Sequence, residues 1–211
     1  MSVTNLPRLT HLSISNAHTD YGCDISEMLQ HFHLRHIGIT SLDLVCPHSP
    51  KNGSEDGEAA RKLVNLFPAV SELKLRLTIT RVNDPHKNFL ALMETMRAFG
   101  DWELTCGEME FKIPSCWRYS WTDLEFAGQL VVAVLRGMAE WRGLTNTSLQ
   151  FSGLHHCGKF RLSDKMRCAL LSCRMIRSVT FIVFWMDEEI KDNFETFIRE
   201  HNLPISVSGR D

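Results

Sequence analysis

The sequence has no long apolar run, no excess of one charge and no regular cysteine framework, and each absence removes a class of protein. Its longest apolar stretches, Leu130 to Leu135 and Phe181 to Met186, fall far short of the roughly 20 residues a helix needs to cross a bilayer. The stretch Met1 to Pro7 is polar and lacks the apolar core of a secretory signal. No membrane partner is expected. A formal net charge of −2 supplies no basic stripe for a phosphate backbone, so nucleic acid is not expected either. The cysteines (Cys23, Cys46, Cys106, Cys116, Cys157, Cys168 and Cys173) are odd in number and irregularly spaced. Most sit in apolar segments, where a reduced cysteine behaves as a small hydrophobe. That usage fits a reducing, intracellular setting, cytoplasmic or nuclear.

Catalytic motifs are missing too. There is no G-x-S-x-G, no G-x-x-x-x-G-K-[ST] and no G-x-G-x-x-G, so neither a nucleophile elbow nor a phosphate-cradling loop is written in the chain. His155-His156-Cys157 with Cys168 and Cys173 does not reproduce the paired C-x₂₋₄-C units of closed zinc sites. His31, His33 and His36 gather at a predicted helix end, and Asp187, Glu188 and Glu189 at a helix start; each sign suits its end of the helix dipole without any catalysis. No cofactor, metal or enzymatic activity is expected.

What the sequence does contain is repetition. Short β-like segments recur as LTHLSIS from Leu9, ITSLDLV from Ile39, VSELKLR from Val70, DWELTCG from Asp101, NTSLQFS from Asn146 and IRSVTFI from Ile176. Their fourth residues, Leu12, Leu42, Leu73, Leu104, Leu149 and Val179, are spaced by 30, 31, 31, 45 and 30 positions. A fixed period of this size marks a repeat architecture.

Between these segments the apolar period changes to that of a helix. Ile25, Met28, Leu29 and Phe32 outline a first helix face, and Leu63, Val64 and Phe67 a second, opened by Ser54-Glu55-Asp56. Phe89, Leu92, Met93, Met96 and Phe99 form a third behind Asp84-Pro85. Leu124 to Trp141 reads as the longest, Ser163 and Asp164 cap a fifth, and Asp187 to Glu200 closes the series. The order is strand then helix, six times.

Such a series builds either an open solenoid or a doubly wound or barrel-like parallel sheet. Sheets covered on both faces need continuous aliphatic strands, whereas a sheet covered on one face alternates. The third, fifth and seventh residues of the six segments are polar or small except Val45 and Ile182. One face is therefore expected to be wet, and the solenoid is the expected fold. An α/β enzyme whose βα spacing mimics a repeat is the alternative.

At this point the chain resembles the leucine-rich-repeat family, and in its loose pattern the repeats of F-box-type ubiquitin-ligase substrate receptors. Leu9, Leu12 and Ile14, then Ile39, Leu42 and Leu44, then Val70, Leu73 and Leu75 match the first three anchors of L-x-x-L-x-L-x-x-N/C. The ninth position holds Ala17, Pro47, Thr78, Met109, Leu154 and Phe184 instead of Asn or Cys. The resemblance implies an α/β horseshoe of about six strand–helix units with a parallel sheet on its concave face. It implies a protein-binding role, as in the target-recognition part of a ligase subunit, with a protein as partner. No F-box segment is visible, and a terminal repeat of this kind is expected to need a covering element, either a domain upstream or a cap built from the N-terminal residues.

Two sets of residues are candidates for partner binding. On the strand face, His11, Asp43, Glu72, Lys74, Arg76, Glu103 and Gln150 offer hydrogen bonds and mixed charge. The long interval supplies the second set, Trp117, Arg118 and Tyr119, residue types that often carry interface energy. One single domain, 1–211, is expected, with an irregular insertion near 107–122. The insertion projects as a loop or folds as a hairpin of Trp102 to Cys106 against Met109 to Ile113.

Overall fold

The computed structural model describes residues 9–15, 25–48, 55–79, 85–113, 126–153, 162–183 and 188–209. Seven strands are present among these residues: β1 (His11–Ser15), β2 (Ser41–His48), β3 (Glu72–Ile79), β4 (Cys106–Lys112), β5 (Thr147–Ser152), β6 (Ser178–Val183) and β7 (Ile205–Gly209). Six α-helices follow them among the described residues: α1 (Ile25–Met28), α2 (Glu55–Leu66), α3 (Pro85–Phe99), α4 (Phe126–Gly137), α5 (Asp164–Leu171) and α6 (Glu188–His201). Every adjacent pair of strands is parallel. Their order across the sheet is their order along the chain, β1 to β7, with β1 and β7 at open edges.

Alternation within each strand decides which face is covered. Leu73, Leu75, Leu77 and Ile79 of β3 are buried while Glu72, Lys74 and Arg76 are exposed. Strands β5 and β6 repeat the pattern with half-exposed polar positions. The helices supply the cover, each packing on the next from α1 and α2 to α4 and α5. Leu63 and Phe67 from the second unit, Leu92, Met96 and Phe99 from α3, and Leu130 and Val134 from α4 are all buried there. Under β4, β5 and β6 the core turns aromatic. Phe111, Phe151 and Phe181 occupy one row across the sheet, with successive ring centroids 5.3 Å apart and nearly parallel. Phe194 of α6 meets Phe181 edge-on at 5.8 Å.

Helix ends are finished by local chemistry. Ser163, expected as a cap, accepts a hydrogen bond from the Met166 N–H at 3.3 Å, satisfying an otherwise orphan donor. Helix α6 stops at Asn202, whose φ of 48° is left-handed. The Leu203 N–H then reaches back to the Ile198 carbonyl at 3.1 Å, as a Schellman-type stop requires. Gly153, just past β5, has φ of 80°, and a Cβ there would sit 1.9 Å from the Ile113 carbonyl oxygen. Only glycine fits that crossing.

Several sequence expectations need correction. The sheet has seven strands rather than six; β7, with Ile205 and Val207 alternating against Ser206 and Ser208, is an additional one. The segment DWELTCG is not the fourth strand, because Asp101 to Thr105 precede β4. Leu104 is buried, three positions before the Gly107 that pairs with Leu73. It therefore stands where Leu9, Ile39 and Val70 stand, and not where Leu12, Leu42 and Leu73 do. The expected hairpin is absent, since residues 106–112 form one parallel strand between β3 and β5. The same strand occupies the first part of the expected insertion. The first helix is also shorter than its apolar spacing suggests, with α1 passing into a 3-10 turn at Leu29–His31.

Candidate functional site

The exposed side of the sheet collects the strand residues that alternate with the core. Parallel pairing sets them in rows. Ser13, Asp43, Lys74, Glu108, Ser148 and Ser178 form one row, and Ser15, Val45, Arg76, Glu110, Gln150, Thr180 and Ser206 the next. His11, Ser41, Glu72 and Cys106 lie in the row at the strand starts. Residues opposite one another in such rows stand close enough for their side chains to meet.

They do meet. Lys74 Nζ lies 3.4 Å from Glu108 Oε2, and Arg76 donates to Asp43 Oδ2 at 3.3 Å. His11 Nδ1 and Ser41 Oγ are 3.0 Å apart, and Thr180 and Ser206 share a hydroxyl bond of 3.1 Å. Ser152 donates to Glu110 at 3.4 Å. The second oxygen of Asp43, Oδ1, is buried and has no donor among the described residues, so it stands as an unsatisfied acceptor beside Arg76. Between β3 and β6 the face sinks into a shallow depression of about 320 Å³ bordered by Lys74, Arg76, Glu108, Glu110, Gln150 and Thr180. It is open, and its lining also includes Leu75, Met109 and Leu149.

Of the residues expected on this face, His11, Asp43, Glu72, Lys74, Arg76 and Gln150 are placed on it by the strand register. Glu103 is not. It precedes β4 and faces Arg142 at 3.3 Å, with both side chains largely exposed. The reason is the slip at Leu104: an odd shift along a strand exchanges its two faces. The true contributions of β4 are Cys106, Glu108, Glu110 and Lys112, which alternate with the buried Met109 and Phe111. Leu149 and Val179 belong two positions further along than Leu12, Leu42 and Leu73, but an even shift preserves the face, so Gln150 falls where expected. Trp117, Arg118 and Tyr119 lie outside the described residues, as do His155, His156 and Cys157.

The repeating polar ladder also differs from the Asn or Cys ladder of the resemblance. Thr40 Oγ1 donates to the Thr10 carbonyl at 3.4 Å, Ser71 Oγ to the Thr40 carbonyl at 3.4 Å, and Thr105 Oγ1 to the Ser71 carbonyl at 3.1 Å. A hydroxyl residue directly after the first aliphatic anchor thus links the second, third and fourth units each to the one before. The pairs Leu9-Thr10, Ile39-Thr40, Val70-Ser71 and Leu104-Thr105 carry that signal, and they also reveal the correct place of Leu104. Two tryptophans do similar work behind the helices. Trp102 Nε1–H donates to the Phe67 carbonyl at 2.9 Å, and Trp141 Nε1–H to the Met96 carbonyl at 2.7 Å, each satisfying an acceptor at or near a helix end.

Cys173 and His36, one from each of the cysteine and histidine clusters, are held by packing. Cys173 is buried against Ala169, and burial pushes its thiol up to about 12, far from a reactive thiolate. His36 stacks on Phe67 at 5.5 Å while its backbone N–H bonds the Leu66 carbonyl at 2.7 Å. Among the described residues no helix is long and apolar enough to cross a membrane. Comparison with known protein families, characterised proteins and solved structures finds no match for this chain.

Proposed function

We propose that this chain is a leucine-rich-repeat-like solenoid that captures a protein partner on its polar strand face, as the target-binding part of an F-box-type ubiquitin-ligase subunit does. One observation carries the reading: seven parallel strands follow one another in chain order and turn the same hydrogen-bonding face outward. With strands about 4.8 Å apart, six gaps span roughly 29 Å, a width suited to a protein surface. The depression on it is open and bordered by Lys74, Arg76, Glu108 and Glu110, unlike the enclosed apolar pockets that hold small ligands. Cys46, Cys106, Cys168 and Cys173 are all free thiols, which supports a reducing compartment.

The test is a matched capture experiment with the wild-type chain and a Lys74→Gln/Arg76→Gln variant. Glutamine is preferred to glutamate, because a carboxylate at 74 or 76 would oppose Glu108 and Asp43 and cost stability through like charges. Partners retained by the wild type and lost by the variant, with unchanged circular dichroism, support the reading. An identical set of retained proteins removes this patch as the binding site.

A further inference from the structure

On the helix side of the molecule the connection from α1 to β2 is pinned to α2 at two points. Phe32 meets the Phe67 ring edge-on at 5.5 Å, and four residues later His36 stacks on the same ring and bonds Leu66. The residues held between these pins, His33 to Arg35, lie across the outer surface of α2. An open groove of about 460 Å³ results, lined by His33, Arg35, Glu58, Arg61, Lys62, Asn65 and Leu66.

The charge in this groove is unbalanced. Three permanent cations, Arg35, Arg61 and Lys62, line it with one carboxylate, Glu58, among the described side chains. Arg61 has only a distant contact with Glu94, at 3.9 Å, and Glu94 is already engaged by Arg97. Arg35 and Lys62 are exposed and make no ion pair with any residue whose side chain the structure describes. On the strand face, by contrast, Lys74 and Arg76 each have a carboxylate partner. Cations near the carbonyl end of α2 also suit its dipole, but that field fades within one turn, and His33 and Arg35 come from another segment.

We infer that this groove binds a phosphate monoester, carried as phosphoserine or phosphothreonine on a peptide segment of a partner. A phosphomonoester brings close to two negative charges and three strong acceptors. Arg35 and Arg61 can each present a planar fork to it, and Lys62 a point charge. Asn65 adds an amide donor, and the methylene stems of Arg61 and Lys62 with Leu66 offer an apolar bed for the flanking peptide. The chain as a whole carries a formal net charge of −2, so it has no broad attraction for an anionic bilayer. Cations confined to one groove suit a single phosphate.

The experiment is a titration of the isotopically labelled chain with acetyl-Gly-phosphoserine-Gly-amide, followed by amide chemical shifts. Saturable shifts at residues 33–36 and 58–66 in the millimolar range are expected, with none for the unphosphorylated tripeptide. Arg35→Ala/Lys62→Ala should weaken binding at least about tenfold, since each lost charge-assisted contact is worth a factor of this size. Lys74→Gln/Arg76→Gln should leave it unchanged. Loss of affinity in that second variant, or equal shifts with the unphosphorylated peptide, overturns the inference. So does binding to phosphatidylcholine vesicles containing phosphatidylinositol bisphosphate without binding to the tripeptide.

Discussion

The two halves of the sheet share one backbone plan and differ in both of their faces. From β2 to β4 the exposed side is charged, with Asp43, Glu72, Lys74, Arg76, Glu108, Glu110 and Lys112, and the core beneath β2 and β3 is aliphatic, with Leu42, Leu44, Leu73, Leu75 and Leu77. From β5 to β7 the exposed side carries no charge; it presents Ser148, Gln150, Ser152, Ser178, Thr180, Ser206 and Ser208. The core there is aromatic, led by Phe151 and Phe181. The strand ladder tolerates both because hydrogen bonding between parallel strands asks only for alternation. What the face carries is set by solvent rather than by packing, and what the core carries is held to volume.

The largest test of this comparison is made in the core. Phe151→Ala should cost about 3–5 kcal/mol, and Leu75→Ala about 2–5 kcal/mol, from lost burial plus the cavity left behind. Both should lower one shared thermal transition, because each unit packs only on its neighbours in an unbroken row. Calorimetry showing that each substitution melts its own half separately would split the molecule into two independent bodies.

A smaller effect tests the links between units. Trp141→Phe keeps most of the apolar area but strips the donor from the Met96 carbonyl, at a cost of about 1–3 kcal/mol. A chain of this size should then melt roughly 2–4 °C lower per kcal/mol. An unchanged melting temperature would mean that solvent reaches that carbonyl.

Alkaline pH probes the far half. The Cys173 thiol is raised by burial from 9.0 to about 12 in the folded chain. A raised folded value means its contribution is complete below pH 9 and is lost as the pH climbs towards 12, by at most about 1.4 kcal/mol per pH unit. Cys173→Ala should flatten that part of the stability profile. A slope that persists in the variant assigns the loss to other groups.

The smallest effects separate the two exposed faces. Arg76→Gln removes a surface ion pair with Asp43 and should cost under about 1 kcal/mol, less still in high salt. Ser178→Ala, in the uncharged half, should show no salt dependence. Urea titrations at low and high salt check both.

Much of this plan was legible because the core obeys short periods. The 30-residue steps from Leu12 to Leu42 and from Leu149 to Val179, the alternation in VSELKLR and the Ser163 cap are each enforced by local chemistry. Legibility failed where two anchors competed. Three residues after Leu104 stands Gly107, so no second leucine marks the strand, and the leucine spacing alone places the segment three positions early. That odd slip misplaced Glu103 and hid Glu108 and Glu110. Strand β7 was missed because Pro204 and a short 26-residue step from Val179 to Ile205 break the period. The cationic groove was invisible for another reason: it joins residues 33–35 to residues 58–66 through ring contacts on Phe67, which no linear pattern records.

An open, one-faced sheet is the claim on which the scaffold reading rests, and a single distance tests it. Spin labels on cysteines placed at Ser13 of β1 and Ser206 of β7 report the separation of the two edges by electron–electron dipolar coupling. Six strand gaps predict about 29 Å before the label arms are added, somewhat less along a curved arc. A distance near the spacing of neighbouring strands, about 5 Å, would close the sheet into a barrel and contradict the account.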